Sequence, residues 1–380
     1  MKLAIVADEL DPSNGWGRYA GELARGLIAA DVDVRLVTPG GAMPNDLRAH
    51  PDHAPIPSFR RGTPHFARLL ARSIRPLWRA LRGVDAVHCM VEPYAPVVAL
   101  AAGRRPLFVS LVGTYSVPST RDRLESRMLR WAMRRARRLV AISAYTEQRV
   151  RRDTGFTHTT VVPLAVRADE FAAPSPPVAR ESGLVLAVGE PKPRKGFDVA
   201  LEAFAAVRAR VPRSRFVIVG PYASGSSFVA RLRQRIHALG LEDAVILTGA
   251  VSHDELVGWY SHASVVVMPY RSVGRDFEGF GLVLLEAGAC GAPVISSRES
   301  PAEEIVAHGK SGLLVPPGDV AALESAMVRV LTSPDERRRL ADGNRARAAE
   351  MTWERSTDQL IDVYEQSLDR PIRQGCRRGD

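Results

Sequence analysis

The 380-residue sequence predicts an α/β protein of two consecutive doubly wound domains, each a parallel sheet covered by helices. Three observations carry this. Short apolar, strand-like runs alternate with helical patterns along most of the chain. The alternation breaks at Ala172-Ala-Pro-Ser-Pro-Pro177, a linker by composition, and then starts again. The length suits two domains of ordinary size, and 46% hydrophobic with 25% charged residues fits globular units with real cores. Two such domains in series imply a cleft where the carboxyl ends of both sheets face each other.

In the first half, strands are expected at 3–7, 34–38, 86–89, 107–111, 138–142 and 160–162, and helices at 17–30, 64–81, 95–101, 122–136 and 144–154. In the second half, strands fit 184–188, 215–219, 244–248, 264–268, 293–296 and 312–315. Helices there fit 196–210, 227–239, 252–261, 280–288, 302–307 and 320–331. Residues 336–368 read as helical and charged. Residues 369–380 lack periodicity and are expected to be disordered.

Composition excludes several classes. Met1-Lys-Leu-Ala-Ile-Val-Ala7 is too short for a signal peptide and reads as a first strand. No apolar run reaches the ~18 residues of a membrane span. Cys89, Cys290 and Cys376 are too few and too scattered for a disulfide framework or a zinc site, so a cytoplasmic setting is expected. Residues 1–170 hold 26 basic and 16 acidic side chains; residues 171–380 hold 26 of each. The whole net charge of +10 therefore lies in the first half, concentrated in 60–82 and 121–152. Coding bias explains why Arg outnumbers Lys 48 to 4, but not the asymmetry. An anionic partner for that half is expected: a membrane surface, a phosphorylated lipid or nucleic acid.

The most informative segment is Glu278-Gly-Phe-Gly-Leu-Val-Leu-Leu-Glu286. It follows the strand-like 264–268 and a polar loop, so a helix over 280–288 would place Glu278 just before its start and Glu286 a turn or more inside. Free N–H groups and the positive dipole end suit a phosphate, and a carboxylate further along suits ribose hydroxyls. The same spacing also fits an amphipathic helix with two solvated glutamates. Glu190-Pro-Lys-Pro-Arg-Lys195-Gly196 sets three cations between a strand and a helix, an arrangement suited to diphosphate. Cations at a helix start oppose the macrodipole, so a compensating reason is expected.

Asn14-Gly-Trp-Gly-Arg-Tyr-Ala20 matches G-x-G-x-x-A. Seven residues separate its glycines from the strand end, and the second strand ends in Leu36-Val-Thr-Pro39 without an acid, so a dinucleotide site is disfavoured. A glycine-rich loop admitting a phosphate, or a plain helix-capping loop, fits better. His88 closes a strand and is a candidate to meet substrate. Ser143 closes another, or simply caps the next helix. No HExxH, GxSxG, Walker A or metal-ligand spacing occurs.

Together Gly15-Trp-Gly17, Val161-Val-Pro163, Pro193-Arg-Lys-Gly196, Thr248-Gly249, Glu278-Gly-Phe-Gly281, Glu286-Ala287 and Gly291-Ala-Pro-Val294 resemble glycosyltransferase family 4, retaining enzymes of GT-B architecture. The resemblance runs from residue 1 to about 368 and is strongest over 184–318. It implies an acceptor-side domain over 1–170 and a nucleotide-sugar domain over 171–352. Thr352-Trp353 would begin a closing helix, 353–368, that crosses back to the first domain.

By the same resemblance, Lys195 would neutralise the leaving diphosphate, Glu286 would bind ribose hydroxyls and Glu278 hydroxyls of the sugar. Phe280, Gly281 and Leu282 would offer backbone N–H groups, and Gly15 and Gly17 would approach the donor phosphate. The expected protein is a retaining, metal-independent hexosyltransferase with no cofactor beyond a UDP- or GDP-linked donor. It would act on a glycan or lipid-linked acceptor of cell-surface polysaccharide or glycolipid synthesis. Contact would be peripheral, at the inner face of the membrane, and no nucleic-acid partner is expected, since no such module is recognisable.

Two departures stand out. The arginine that many relatives carry after the glycine equivalent to Gly189 is Glu190 here, leaving Lys192 or Arg194 to supply that charge. The histidine that many relatives carry near Gly113 is absent, leaving Thr114, Tyr115 or His88 to take its part. Glu190 and Val112 also suit a non-catalytic nucleotide-sugar-binding or scaffold protein of the same architecture.

Overall fold

The computed structural model describes residues 1–11, 15–39, 43–57, 66–118, 123–171 and 183–373. The expected linker at 172–177 and the end of the tail, 374–380, lie outside them. Two compact units result: Met1–Leu164 with Trp353–Asp380, and Ala165–Thr352.

The first unit is built on seven strands: β1 (Lys2–Val6), β2 (Asp33–Thr38), β3 (His53–Pro55), β4 (Ala86–Cys89), β5 (Leu107–Leu111), β6 (Arg138–Ala141) and β7 (Thr159–Val161). Their order is β3-β2-β1-β4-β5-β6-β7, with every pairing parallel. The central strands are apolar on both faces because helices cover both, so β4 and β5 are buried at every position. Strand order reverses between β1 and β4, which makes the carboxyl ends of those two strands the place where this fold type binds ligands.

The second unit carries β8 (Leu184–Val188), β9 (Arg215–Val219), β10 (Val245–Gly249), β11 (Val265–Met268), β12 (Val294–Ser297) and β13 (Leu313–Val315). The order is β10-β9-β8-β11-β12-β13, again parallel, and it reverses between β8 and β11.

The helical tail is two helices, Pro334–Glu350 and Trp353–Leu368, parted at Met351 and Thr352. The second packs on the first unit. A Cβ on Gly26, in the helix Gly15–Ala29, would lie 2.0 Å from Thr357 Oγ1, so a side chain there would force the two helices apart. Leu360, Ile361 and Tyr364 sink to between 0 and 2% exposure.

β3 and a four-residue helix at Asn45–Arg48 were not expected from the sequence. The helix expected over 280–288 is Leu282–Ala289, because Gly281 adopts φ +100° and ends the incoming loop there.

Candidate functional site

In the second unit the loops after β8 and β11, the two strands flanking the reversal, converge on one cluster. Pro193–Lys195 form a single 3-10 turn, and Gly196, at φ +71°, starts the helix Phe197–Arg210. Only glycine fits there, because a Cβ would sit 2.0 Å from the Pro269 carbonyl oxygen. The cations therefore precede the helix, between it and β8, as expected from the sequence. The acid in the first turn of the helix is Asp198, which suits the dipole. Asp198 pairs with Arg271 at 2.6 Å. Arg271 also donates from Nε to the Pro193 carbonyl (3.0 Å) and from its backbone N–H to the Arg194 carbonyl (3.0 Å), stitching the two loops together.

Lys195 is 8% exposed. Its ammonium lies 2.9 Å from Glu278 Oε2, with Arg194 Nε 3.6 Å from the same oxygen. Burial alone would raise the Glu278 carboxyl, but Lys195, Arg194 and Lys192 outweigh it and hold it below the usual carboxylate range. Glu190 and Lys192 pair at 2.7 Å on a more exposed edge, so Arg194 is the second cation beside Glu278. The ring of Tyr270, fully buried directly after β11, lies with its centroid 5.2 Å from Lys195 Nζ.

Phe280 is buried, Gly281 caps the helix Leu282–Ala289, and Leu282 is part-exposed at its first position. Glu286 lies further in, 6% exposed, and its Oε2 accepts from Tyr260 Oη at 2.7 Å. Burial and the nearby Glu286 push the Tyr260 hydroxyl up, so it stays a donor. Tyr260, Tyr270 and Arg271 were missed by sequence reading. Position directly after a cluster-forming strand was the available signal for the last two.

In the first unit, Gly15 opens the helix after β1, with no described residue within 4 Å of where a side chain would start. Gly17 instead meets its own chain, since a Cβ would fall 1.9 Å from the Asp11 carbonyl oxygen. Thr114 and Tyr115 lie in the turn after β5, and Tyr115 packs edge-on against Trp16 at 5.4 Å. Buried Glu92, after β4, fixes that turn by accepting from the Val112 N–H at 2.5 Å and from the Ser116 hydroxyl.

His88 is not at the surface as the strand-end reading suggested; it is 0% exposed. Its Nδ1 meets Tyr364 Oη at 2.5 Å, and its Nε2 meets Ser110 Oγ at 2.9 Å, which in turn meets Tyr19 Oη at 2.6 Å. Burial depresses its pKa to about 3, so it is a neutral core imidazole. Ser143 caps the helix Ala144–Thr154 by accepting from the Thr146 N–H at 2.9 Å.

Two Rossmann-like parallel-sheet units, each with a polar cluster beside its strand-order reversal, define the GT-B class. The profile "Glycosyltransferase Family 4" matches residues 13–170 and "Glycosyl transferases group 1" matches 169–347. The chain belongs to this family of glycosyltransferases.

Among relatives, the D-inositol 3-phosphate glycosyltransferase of Acidothermus cellulolyticus is 35% identical over 301 residues, 75% of this chain and 63% of that protein. The GDP-mannose-dependent alpha-(1-6)-phosphatidylinositol monomannoside mannosyltransferase of Mycobacterium tuberculosis is 37% identical over 175 residues, 45% of this chain and 44% of that protein. The chain thus spans less than two thirds of the length of either relative. Sucrose-phosphate synthase of Thermosynechococcus elongatus shares the fold, with TM-score 0.77 at 24% identity over 97% of this chain and 99% of that one.

Proposed function

We propose that this protein transfers a hexose, with retention and without a metal, from a UDP- or GDP-linked donor to a glycan or lipid-linked acceptor. The buried Lys195 ammonium, 2.9 Å from Glu278 and with Arg194 beside it, is the observation that supports this most. A diphosphate entering the cluster would exchange one anionic partner of Lys195 for another, at little desolvation cost. The two cations would then stabilise the charge that develops on the leaving diphosphate, the effect expected to contribute most to the rate of such a transfer. Glu278, released from Lys195, would accept from sugar hydroxyls, and Glu286 from the ribose. Backbone N–H groups at Gly281 and Leu282 would complete the phosphate cradle. The acceptor hydroxyl would attack from the face the diphosphate leaves, its proton passing to a phosphate oxygen.

Thr114 and Tyr115 are the acceptor-side candidates of the first unit, and Gly15, with no described residue within 4 Å of a Cβ built on it, remains the glycine that a donor phosphate could approach. Gly17 serves that loop's own packing. The names of two relatives, an inositol-phosphate glycosyltransferase and a phosphatidylinositol-mannoside mannosyltransferase, favour a phosphorylated polyol or lipid acceptor.

No helix among the described residues is long and apolar enough to cross a membrane. Peripheral contact fits the basic first unit, where Trp78 and Trp131 are 48% and 40% exposed on helices that also carry exposed arginines. Glu190 supports one second reading, donor binding without turnover, because its ion pair takes Lys192 out of the cation set.

The test is turnover of UDP-, GDP- and ADP-sugars by the wild type and by Lys195→Ala and Glu286→Ala. Each variant should stay folded and lose transfer by about 100-fold or more. Near-full activity in both would end the assignment. Donor binding without any turnover in the wild type would favour the second reading.

A further inference from the structure

We propose that Tyr270 is a positioning residue for Lys195: the face of its ring, not its hydroxyl, holds the ammonium where a diphosphate meets it. The inference rests on the donor-site reading above. The Lys195 ammonium lies between two partners, the Glu278 carboxylate at 2.9 Å and the Tyr270 ring with its centroid at 5.2 Å. When a diphosphate draws Glu278 away, the ring remains, because an aromatic face attracts a cation without competing for the anion. The ring is the lasting half of the mount.

The ring is itself held firmly. Tyr270 is 0% exposed, its backbone N–H donates to the Met268 carbonyl at 2.8 Å, and the next N–H, of Arg271, donates to the Arg194 carbonyl at 3.0 Å. On one edge it lies across Gly281, where a Cβ would stand 3.2 Å from the ring carbon Cε2. One ring therefore touches both the lysine and the residue that starts the helix Leu282–Ala289. Gly189 would place a Cβ 3.5 Å from Lys195 Cε and 3.6 Å from Nζ, so its backbone also borders the lysine stem.

The hydroxyl points to the same conclusion. Tyr270 Oη is buried and has no hydrogen-bond partner among the described residues. Burying an unsatisfied hydroxyl is costly, and nothing recovers that cost. Phenylalanine should therefore do the same work, whereas leucine, of similar polarity but without a π face, should not.

The full chain can be tested with UDP and GDP as probes by calorimetry. Tyr270→Phe should keep the nucleotide Kd within about two-fold and unfold at the same or a higher temperature. Tyr270→Leu should weaken the Kd by about 5- to 30-fold at temperatures where it is fully folded. In a Lys195→Ala background the same leucine substitution should cause almost no further loss. A merely structural role would weaken binding equally in both backgrounds.

The chain has only four lysines, so 13Cε-lysine labelling gives a readout that needs no ligand. The Lys195 signal should be ring-current shifted in wild type and Tyr270→Phe, and lose that shift in Tyr270→Leu. An unshifted wild-type signal, or loss of nucleotide affinity in Tyr270→Phe, would overturn the inference. A wild type that shows the shift but binds neither nucleotide would sink the donor-site reading instead.

Discussion

Replacing Glu278 with glutamine keeps the shape of the side chain and removes its charge from beside two cations. At separations of 2.9 and 3.6 Å, an effective dielectric near 20 gives attractions of ~6 kcal/mol to Lys195 and ~5 kcal/mol to Arg194 before desolvation is subtracted. Breaking a buried pair by removing one partner costs a net ~3–5 kcal/mol. The Lys195 and Glu278 side chains keep 11% and 13% of their exposure, so the lower end, ~3 kcal/mol, applies here. For a unit of this size that lowers Tm by about 6–12 °C.

Acid should narrow the gap between wild type and variant. The folded Glu278 carboxyl is held below its ordinary value of 4.5, so its contribution is complete above that pH and is lost as the pH falls further. Glutamine has nothing to protonate, and the two melting curves should converge as the pH falls below 4.5. Nucleoside diphosphate binding moves the other way. With no carboxylate to displace from Lys195, the variant should bind UDP or GDP as tightly as wild type or more tightly, while transfer collapses. Scanning calorimetry across pH with and without nucleotide measures all three effects. A Tm within about 2 °C of wild type at pH 7, or nucleotide affinity lost along with turnover, would refute the reasoning.

Gly281→Ala should cost ~1–3 kcal/mol, since φ +100° strains an alanine and its methyl would press on the Tyr270 ring at 3.2 Å. Thermal unfolding should register this together with weaker nucleotide binding. His88 predicts acid sensitivity in the first unit. Its folded pKa of about 3 lies below the ordinary 6.5, so the unfolded chain takes up a proton that the folded one refuses. That stability is whole above pH 6.5 and declines toward pH 3 by up to ~1.4 kcal/mol per pH unit. Denaturant titrations of His88→Gln should give lower stability at pH 7 and a flatter acid limb.

The sheets were legible because buried parallel strands are continuous apolar runs, and Leu184–Val188 or Val265–Met268 can be little else. β3 was not, because His53-Ala-Pro55 has no apolar run and gains its place only by pairing with β2. The sequence marked Lys195, Glu278 and Glu286 through glycine spacing and charge, and the fold pairs the first two. Their aromatic neighbours were not legible: Tyr260 and Tyr270 look like core aromatics in sequence, and only the fold sets the Tyr260 hydroxyl on Glu286 and, by laying β8 beside β11, the Tyr270 ring beside Lys195. His88 misled for the converse reason. A histidine at a strand end looks available until Ser110 and Tyr364 are seen to take both ring nitrogens.

Tyr364 lies 276 residues beyond His88, in a helix belonging to the unit whose first strand begins at Lys2. At synthesis rates of about 5–20 residues per second, the histidine waits roughly 15–55 s on the ribosome for that hydroxyl. During this interval the amino-terminal unit lacks Leu360, Ile361 and Tyr364, and the helix Gly15–Ala29 keeps the bare Gly26 side that Thr357 later covers. The intervening unit, Ala165–Thr352, has its whole sequence first. Maturation therefore runs out of sequence order, with the middle of the polypeptide able to finish before its beginning.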